Sequence, residues 1–150
     1  MPSKKDSRRF IHIVTQLMSR WGYSHTDGKV YAHLLLRDKP ATIAELAKET
    51  GLSRSSISTS LSRLARDYVV TYRKEGKTKY FSAVPAFLEK FLQQPREILE
   101  REVLPLEEIV ERFMESPGGE HFGPVMEDLK GLECVLKRVI ELEEKEVNCV

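Results

Sequence analysis

Residues 40–84 read PATIAELAKETGLSRSSISTSLSRLARDYVVTYRKEGKTKYFSAV, and the spacing within them decides the fold. Thr42 and Glu45 form a T-x-x-E capping box that opens a short helix carrying Ile43, Leu46 and Ala47. Gly51 suits the left-handed residue that closes such a helix, Leu52 tucks under the turn, and Ser53 can cap the helix that follows. That second helix places Ile57, Leu61, Leu64 and Tyr68 on one face, at steps of four, three and four. The period then changes to two. Residues 69–73 and 77–84 read as strands joined through Glu75-Gly76, a hairpin with a basic tip. Two short helices around a tight turn make a helix-turn-helix, with Ala47 small at the close approach and Ile57 filling the space between the helices. The hairpin behind it makes the unit a winged helix.

The outward face of the second helix indicates what such a unit can do. With Ile57, Leu61 and Leu64 inward, Arg54, Ser55, Ser58, Thr59, Ser62, Arg63 and Arg66 line the remaining surface, and no acidic residue occurs between Ser53 and Arg66. Serine and threonine are not strong helix formers, so helix stability does not explain their density. In a DNA major groove, short hydroxyl side chains allow close approach and bond to bases or phosphates, and arginine can fork onto guanine. The bland alternative is a solvated face. The hairpin holds Arg73, Lys74, Lys77 and Lys79 against the single acid Glu75. Such cations fit the backbone or minor groove of DNA, although lysines also protect exposed edge strands from aggregation. The candidate DNA-binding set is Thr42, Ser53, Arg54, Ser55, Ser56, Ser58, Thr59, Ser62, Arg63, Arg73, Lys74, Lys77 and Lys79.

Helical patterning flanks this unit on both sides. Phe10, Val14, Leu17 and Trp21 mark one face of a helix over residues 8–21, with Ile13 widening the stripe, and Gly22-Tyr23-Ser24 ends it. A second helix starts with Thr26 or Asp27 as cap, carries Val30, Leu34 and Leu35 inward, and stops before Pro40. Beyond Pro85, residues 86–93 form a short amphipathic piece broken at Pro95. Residues 96–114 then carry Leu99, Val103, Leu106, Val110 and Phe113, a run that Pro105 should kink or split. The loop SPGGEHFGP, 116–124, leads to a last helix over 125–146 with Val125, Leu129, Leu132, Leu136 and Val139. Alternating four-three steps mark the seam of a coiled coil or bundle. Leu99, Val103, Leu106, Val110, Phe113, Leu129, Leu132, Leu136 and Val139 are therefore the candidate dimerisation residues. The expected fold is mainly α with a small β-hairpin wing, a winged helix-turn-helix plus a helical dimerisation region. Its expected parts are residues 1–25 (an N-terminal dimerisation or support helix), 26–85 (DNA binding) and 86–150 (dimerisation).

The composition agrees with a globular protein: of 150 residues, 41% are hydrophobic and 31% charged, and no apolar run exceeds three residues. About 20 such residues would be needed to cross a bilayer. The basic start MPSKKDSRRF lacks the apolar segment of a signal peptide, and two cysteines, Cys134 and Cys149, imply no disulfide framework. A cytoplasmic protein without membrane contact is expected. The net charge of +1 conceals a division: residues 1–82 hold 16 Lys+Arg against 7 Asp+Glu, net +9, and residues 83–150 hold 8 against 16, net −8. A nucleic-acid-binding half joined to a half with another duty accounts for that asymmetry.

Residues from about 22 to 113 resemble the multiple-antibiotic-resistance regulator (MarR) superfamily of winged-helix transcription factors, and within it the glycine-betaine-synthesis regulator (GbsR) branch. The resemblance is carried by Trp21-Gly22, by Gly28 to Leu36 with Asp38-Lys39-Pro40, by Thr42 to Ala47, by Gly51 to Ser58, and by Leu61-Ser62-Arg63-Leu64. It implies a homodimer on a pseudo-palindromic operator, terminal helices at the dimer interface, and in many members repression relieved by a small molecule. The family usually has glycine where this chain has Tyr68. A positive φ would strain a tyrosine, so the helix is expected to end differently or Asp67 to take that conformation.

Other chemistries find little support. His12, His25, His33 and His121 sit in no catalytic signature, Gly118-Gly119 is a loop signal and not a phosphate cradle, and no enzyme activity or cofactor is expected. Cys134 and Cys149 lack metal-ligand spacing, and redox sensing by either would need a thiolate that acidic surroundings disfavour. Trp21, Tyr23, Tyr31, Tyr68 and Tyr72 could form an aromatic box for a quaternary ammonium effector, but aromatics at helical spacing more often fill cores. The reading is a sequence-specific double-stranded DNA-binding transcriptional regulator, a homodimeric repressor with a possible small-molecule effector. Its rivals are a winged-helix subunit used for protein contacts and a non-specific architectural DNA-binding protein.

Overall fold

The computed structural model describes residues 3–145. The chain forms two compact units that divide between Ala86 and Phe87. The first contains helices α1 (Lys4–Arg20), α2 (His25–Leu36), α3 (Ile43–Thr50) and α4 (Arg54–Arg66), then strands β1 (Val70–Glu75) and β2 (Thr78–Ala83). The second contains α5 (Phe87–Ile98), α6 (Leu104–Glu115) and α7 (Gly123–Glu144).

Local chemistry sets the helix ends of the first unit. Ser3 caps α1 by accepting from the Asp6 amide. The cap of α2 is Ser24, earlier than the expected Thr26 or Asp27. Ser24 accepts from the Asp27 amide while the Asp27 carboxylate accepts from the Ser24 amide, so Asp27 is the third residue of a capping box. Helix α1 lies against α2 through Val14, Thr15 and Met18, and glycine at 28 permits the approach: a Cβ there would stand 2.8 Å from the Thr15 Cα. Thr42 and Glu45 cap α3 as expected, and Gly51 closes it at φ 74°. Ser53 caps α4 by accepting from the Ser56 amide.

The core gathers Val30, Tyr31, Ala32 and Leu34 from α2, Leu46 from α3, and Ile57, Leu61 and Leu64 from α4, with Val69, Val70 and Phe81 from the hairpin. Tyr31 carries its hydroxyl into this core without leaving it unsatisfied. The hydroxyl donates to the Val84 carbonyl at 2.7 Å and accepts from the Ala86 amide at 3.2 Å, which joins α2 to the chain beyond β2. The strands pair antiparallel from Val70↔Ala83 to Glu75↔Thr78, with Gly76 at positive φ in the turn. Ala41 exchanges two backbone bonds with Phe81, at 2.9 and 2.8 Å, which seats the start of α3 on the hairpin.

The end of α4 departs from expectation in one residue. Tyr68 itself takes the left-handed conformation, at φ 63°, while Asp67 stays at φ −88°. The Tyr68 amide donates to Ala65 and the Val69 amide to Leu64, each at 3.1 Å, a Schellman closure with tyrosine in the usual glycine place. The same geometry ends α1, where Gly22 occupies that place at φ 90°. Turned outward by this conformation, Tyr68 is 84% exposed and does not continue the inward face of Ile57, Leu61 and Leu64. Because Val69 is engaged in closing the helix, the first strand begins at Val70.

In the second unit the helix does not break at Pro95, which lies within α5. It runs on through a π-helical turn, Leu99–Val103, into α6, with the Leu104 amide reaching back to the Leu99 carbonyl. The widened turn lies immediately before Pro105, whose ring would otherwise press on the carbonyl four residues back. Gly118 at φ 81° and a 3₁₀ turn, Gly119–Phe122, reverse the chain. Helix α7 then runs antiparallel along the α5–α6 rod, as the Glu107–Lys130 and Arg96–Glu144 pairs show, both at 3.2 Å. Leu99, Val103, Leu136 and Ile140 form the buried core between them.

Candidate nucleic-acid interface

Helix α4 presents three stripes. Ile57, Leu61 and Leu64 are buried; Ser55, Ser58, Thr59, Ser62 and Arg66 are exposed; and Ser60 and Arg63 turn toward α2. Several hydroxyls have duties inside the protein. Thr42 and Ser53 are caps, and the Thr59 hydroxyl donates to the Ser55 carbonyl at 3.0 Å. Ser55, Ser56, Ser58 and Ser62 lie on the exposed surface with Arg54. Among the described residues no side chain pairs with the Arg54 guanidinium, which stands in the first turn of α4 and is available to a ligand.

Arg63 is placed differently from the sequence expectation. Its Nε donates to Asp27 Oδ2 at 3.1 Å and its Nη2 to Oδ1 at 2.8 Å, a two-point fork onto a carboxylate whose side chain is 2% exposed. Ser60 donates to the same Oδ1 at 2.6 Å. Burial would raise the Asp27 carboxyl, but the bonds from Arg63, Ser60 and Ser24 outweigh it and hold the pKa below the ordinary value of 3.8. Nearby, the Tyr23 hydroxyl donates to Asp67 Oδ2 at 2.7 Å. The α1–α2 turn and the first turn of α2 therefore grip the C-terminal half of α4. The guanidinium expected to fork onto guanine forks onto a carboxylate of its own chain.

The hairpin is cationic on both faces, because alternate residues point to opposite sides. Tyr72, Lys74, Lys79 and Phe81 share one face. Tyr72 and Phe81 pair across the strands with ring centres 5.6 Å apart, and Lys79 Nζ lies 4.7 Å from the Tyr72 ring centre. Arg73 is on the other face, 5.7 Å from the Tyr80 ring centre and 3.4 Å from Glu75. Lys74 and Lys77 are exposed.

The remaining expectations sort by burial. Leu99, Val103, Val110 and Leu136 are buried within the second unit, Leu129 and Val139 are half-buried, and Leu106, Phe113 and Leu132 are exposed. The two seams therefore largely meet each other within one chain, because α7 folds back on the α5–α6 rod. Four of the five aromatics weighed as a possible box occupy separate environments: Tyr31 is in the core, Tyr23 bonds Asp67, Tyr72 is on the hairpin and Tyr68 faces outward. His33 lies 3.6 Å from Glu49, and burial holds its pKa below the ordinary value despite that carboxylate. Cys134 is exposed on α7, and Cys149 lies outside the described residues. Among the described residues no group of three or more His, Cys, Asp or Glu could hold a metal ion, and no helix is long and apolar enough to cross a membrane.

Residues 17–86 match the family described as sugar-specific transcriptional regulator TrmB. Comparison with curated protein sequences gives no match. One similar solved structure, described as a transcriptional regulator, is 17% identical with a TM-score of 0.55, over 94% of this chain and 99% of that one. Another is TrmBL2, described as an archaeal chromatin protein showing a novel mode of DNA binding. It is 21% identical with a TM-score of 0.57, over 79% of this chain and 42% of that one, so this chain spans less than half its length. At these identities the likeness is one of fold. The family match is to TrmB, whereas the motif resemblance pointed to the GbsR branch of MarR. That match covers the capping boxes, the Gly51 turn, α4 and the hairpin, the elements that together have winged-helix form.

Proposed function

We propose that this protein is a sequence-specific double-stranded DNA-binding regulator of transcription, acting in the cytoplasm as a homodimeric repressor on a pseudo-palindromic operator. The observation that carries the reading is the exposed stripe of α4: hydroxyls and arginines, no acid from Arg54 to Arg66, beside a hairpin with cations on both faces. Such a surface can lie along a major groove with the hairpin on the flanking backbone. Repression and dimerisation follow the behaviour that the resemblance to the GbsR branch implies. Exposed Leu106, Phe113 and Leu132 are the candidate dimerisation residues left to contact a second copy.

Fluorescence anisotropy with duplex from upstream of the protein's own gene, against scrambled duplex across a salt series, tests this. A preference of about a thousandfold supports a specific regulator. No binding to either duplex at low salt refutes DNA recognition, and sedimentation at the same concentrations tests the dimer. The TrmB description makes a sugar the first effector to add to the titration. The engagement of Arg63 by Asp27 favours a second reading, a non-specific architectural protein, since it removes one base-reading guanidinium. Equal, steeply salt-dependent binding to both duplexes would select it.

A further inference from the structure

A cleft of about 310 Å³ opens between α4 and the hairpin, within the first unit. Ser58, Ser62 and Arg66, at successive steps of four, form the α4 wall, while Tyr72, Lys79 and Phe81 form the hairpin wall. No carboxylate lines it. The nearest acid to the Arg66 guanidinium is Asp67 at 3.9 Å, and Arg66 is 73% exposed. Lys79 has no acidic partner among the described residues, and its ammonium stands over the Tyr72 ring. The recess therefore combines two cations, two hydroxyl donors and an aromatic floor, with no carboxylate among its lining residues.

We propose that this cleft seats one backbone phosphate of duplex DNA, held jointly by Arg66 from the helix and Lys79 from the hairpin. The inference rests on the DNA-binding reading and adds an anchor point to it. A phosphate carries acceptor oxygens on several sides, which suits donors converging from two elements, and the Tyr72–Phe81 floor shields the site from water on one side. DNA is favoured over a free phosphate compound because the cleft continues the exposed stripe of α4: Ser62 and Arg66 belong to both. A strand lying along that stripe passes over the cleft mouth. Helix insertion and wing docking then depend on one phosphate, and the two elements bind as a unit.

The test uses the full chain with Arg66→Met, Lys79→Met, the double variant, and Lys77→Met at the exposed hairpin tip as control. Circular dichroism checks folding. Anisotropy with upstream and scrambled duplex over a salt series reads the slope of log affinity against log salt, which falls by about 0.9 for each phosphate no longer neutralised. Each single variant should leave the slope nearly unchanged, because the remaining cation still neutralises the shared phosphate, and the double variant should lower it by about 0.9 on both duplexes. Lys77→Met should add its own decrease to that. A decrease in each single variant that sums in the double would put the two cations on different phosphates, an unchanged slope in the double variant would remove them from DNA, and an abolished preference for upstream duplex would move them to bases. Each result overturns the shared seat. Inorganic phosphate is titrated against chloride at equal ionic strength. Competition in the wild type that disappears in the double variant would assign the cleft to a soluble phosphorylated ligand. Wild-type protein that binds no duplex defeats the parent reading as well; wild-type binding with an unaltered double variant defeats only the seat.

Discussion

Replacing Asp27 by asparagine should destabilise the first unit by about 3 kcal/mol. The asparagine would keep the size and one acceptor for Ser60, but its amide would direct donors at donors of Arg63 and Ser24. Two unit charges at the 2.8 Å separation of the fork attract by about 6 kcal/mol at an effective dielectric of about 20. Desolvation of Asp27 offsets part of this, and water screens Arg63, whose side chain is 40% exposed. The loss therefore falls at the lower end of the ~3–5 kcal/mol that follows removal of one member of a buried pair. At ~4–8 °C per kcal/mol for a domain of this size, the melting midpoint should drop by at least ~12 °C. Urea unfolding at neutral pH measures the difference. Its pH dependence has a defined sign: the folded pKa of Asp27 lies below 3.8, so the wild-type advantage is complete above that value and disappears as pH falls through the folded pKa. The wild-type and Asp27→Asn stability curves should converge in acid. Equal stability at neutral pH would refute the brace, as would a gap that persists undiminished into acid. Arg63→Ala supplies an independent check. As a brace, Arg63 should cost stability and weaken all duplexes alike; intact stability with a relaxed preference at one base pair would return it to base reading.

Three further substitutions follow from local geometry. Tyr68→Gly should stabilise by up to ~1 kcal/mol in thermal unfolding, because glycine removes the left-handed strain and the exposed ring gives up little packing, whereas Tyr68→Ala should not. Gly28→Ala should destabilise by ~1–3 kcal/mol, since its Cβ would meet Thr15 backbone at 2.8 Å; wild-type stability would show that α1 and α2 separate freely. Arg54→Ala should cost ~1–3 kcal/mol of discrimination at one base pair of the operator, read by anisotropy with single-substituted duplexes. Uniform weakening across those duplexes would reassign Arg54 to phosphate.

Much of the first unit was legible because its signals are local. The Thr42–Glu45 box, Gly51, the Ser53 cap and the change of period after Tyr68 each act within a few residues, and the structure places each helix and strand they imply. Sequence and structure part where a local rule meets a distant or compensating partner. Proline at 95 and 105 signals a break only if the helix cannot adjust, and the π-helical turn before Pro105 provides the adjustment there. The four-three seams of the second unit are real apolar stripes, but periodicity does not say which stripe each will meet. Folding α7 back on the α5–α6 rod buried Leu99, Val103 and Leu136 within one chain. Tyr68 shows the converse: a Schellman closure requires the left-handed residue at that position, and the bonds of Ala65 and Leu64 hold it there whatever the side chain.

Arg63 is the clearest case, because its role depends on a carboxylate 36 residues earlier in the chain. By helical spacing alone it flanks the exposed stripe, and either neighbour of that stripe could claim it. Asp27 offered the overlooked signal. An acid at the third position of a Ser24 capping box needs only one backbone bond for that duty, and its other acceptor sites must be satisfied when α4 covers it. Ser60 and Arg63 satisfy them. The consequence reaches function, since one flank of α4 now locks the helix to α2 while the opposite flank, Ser58–Ser62–Arg66, faces the hairpin. In a major groove, a helix fastened to α2 through Asp27 would have little freedom to adjust to a mismatched duplex. On the DNA-binding reading, such rigidity would make discrimination depend on Arg54 and the short hydroxyls, which reward close approach and penalise a displaced base.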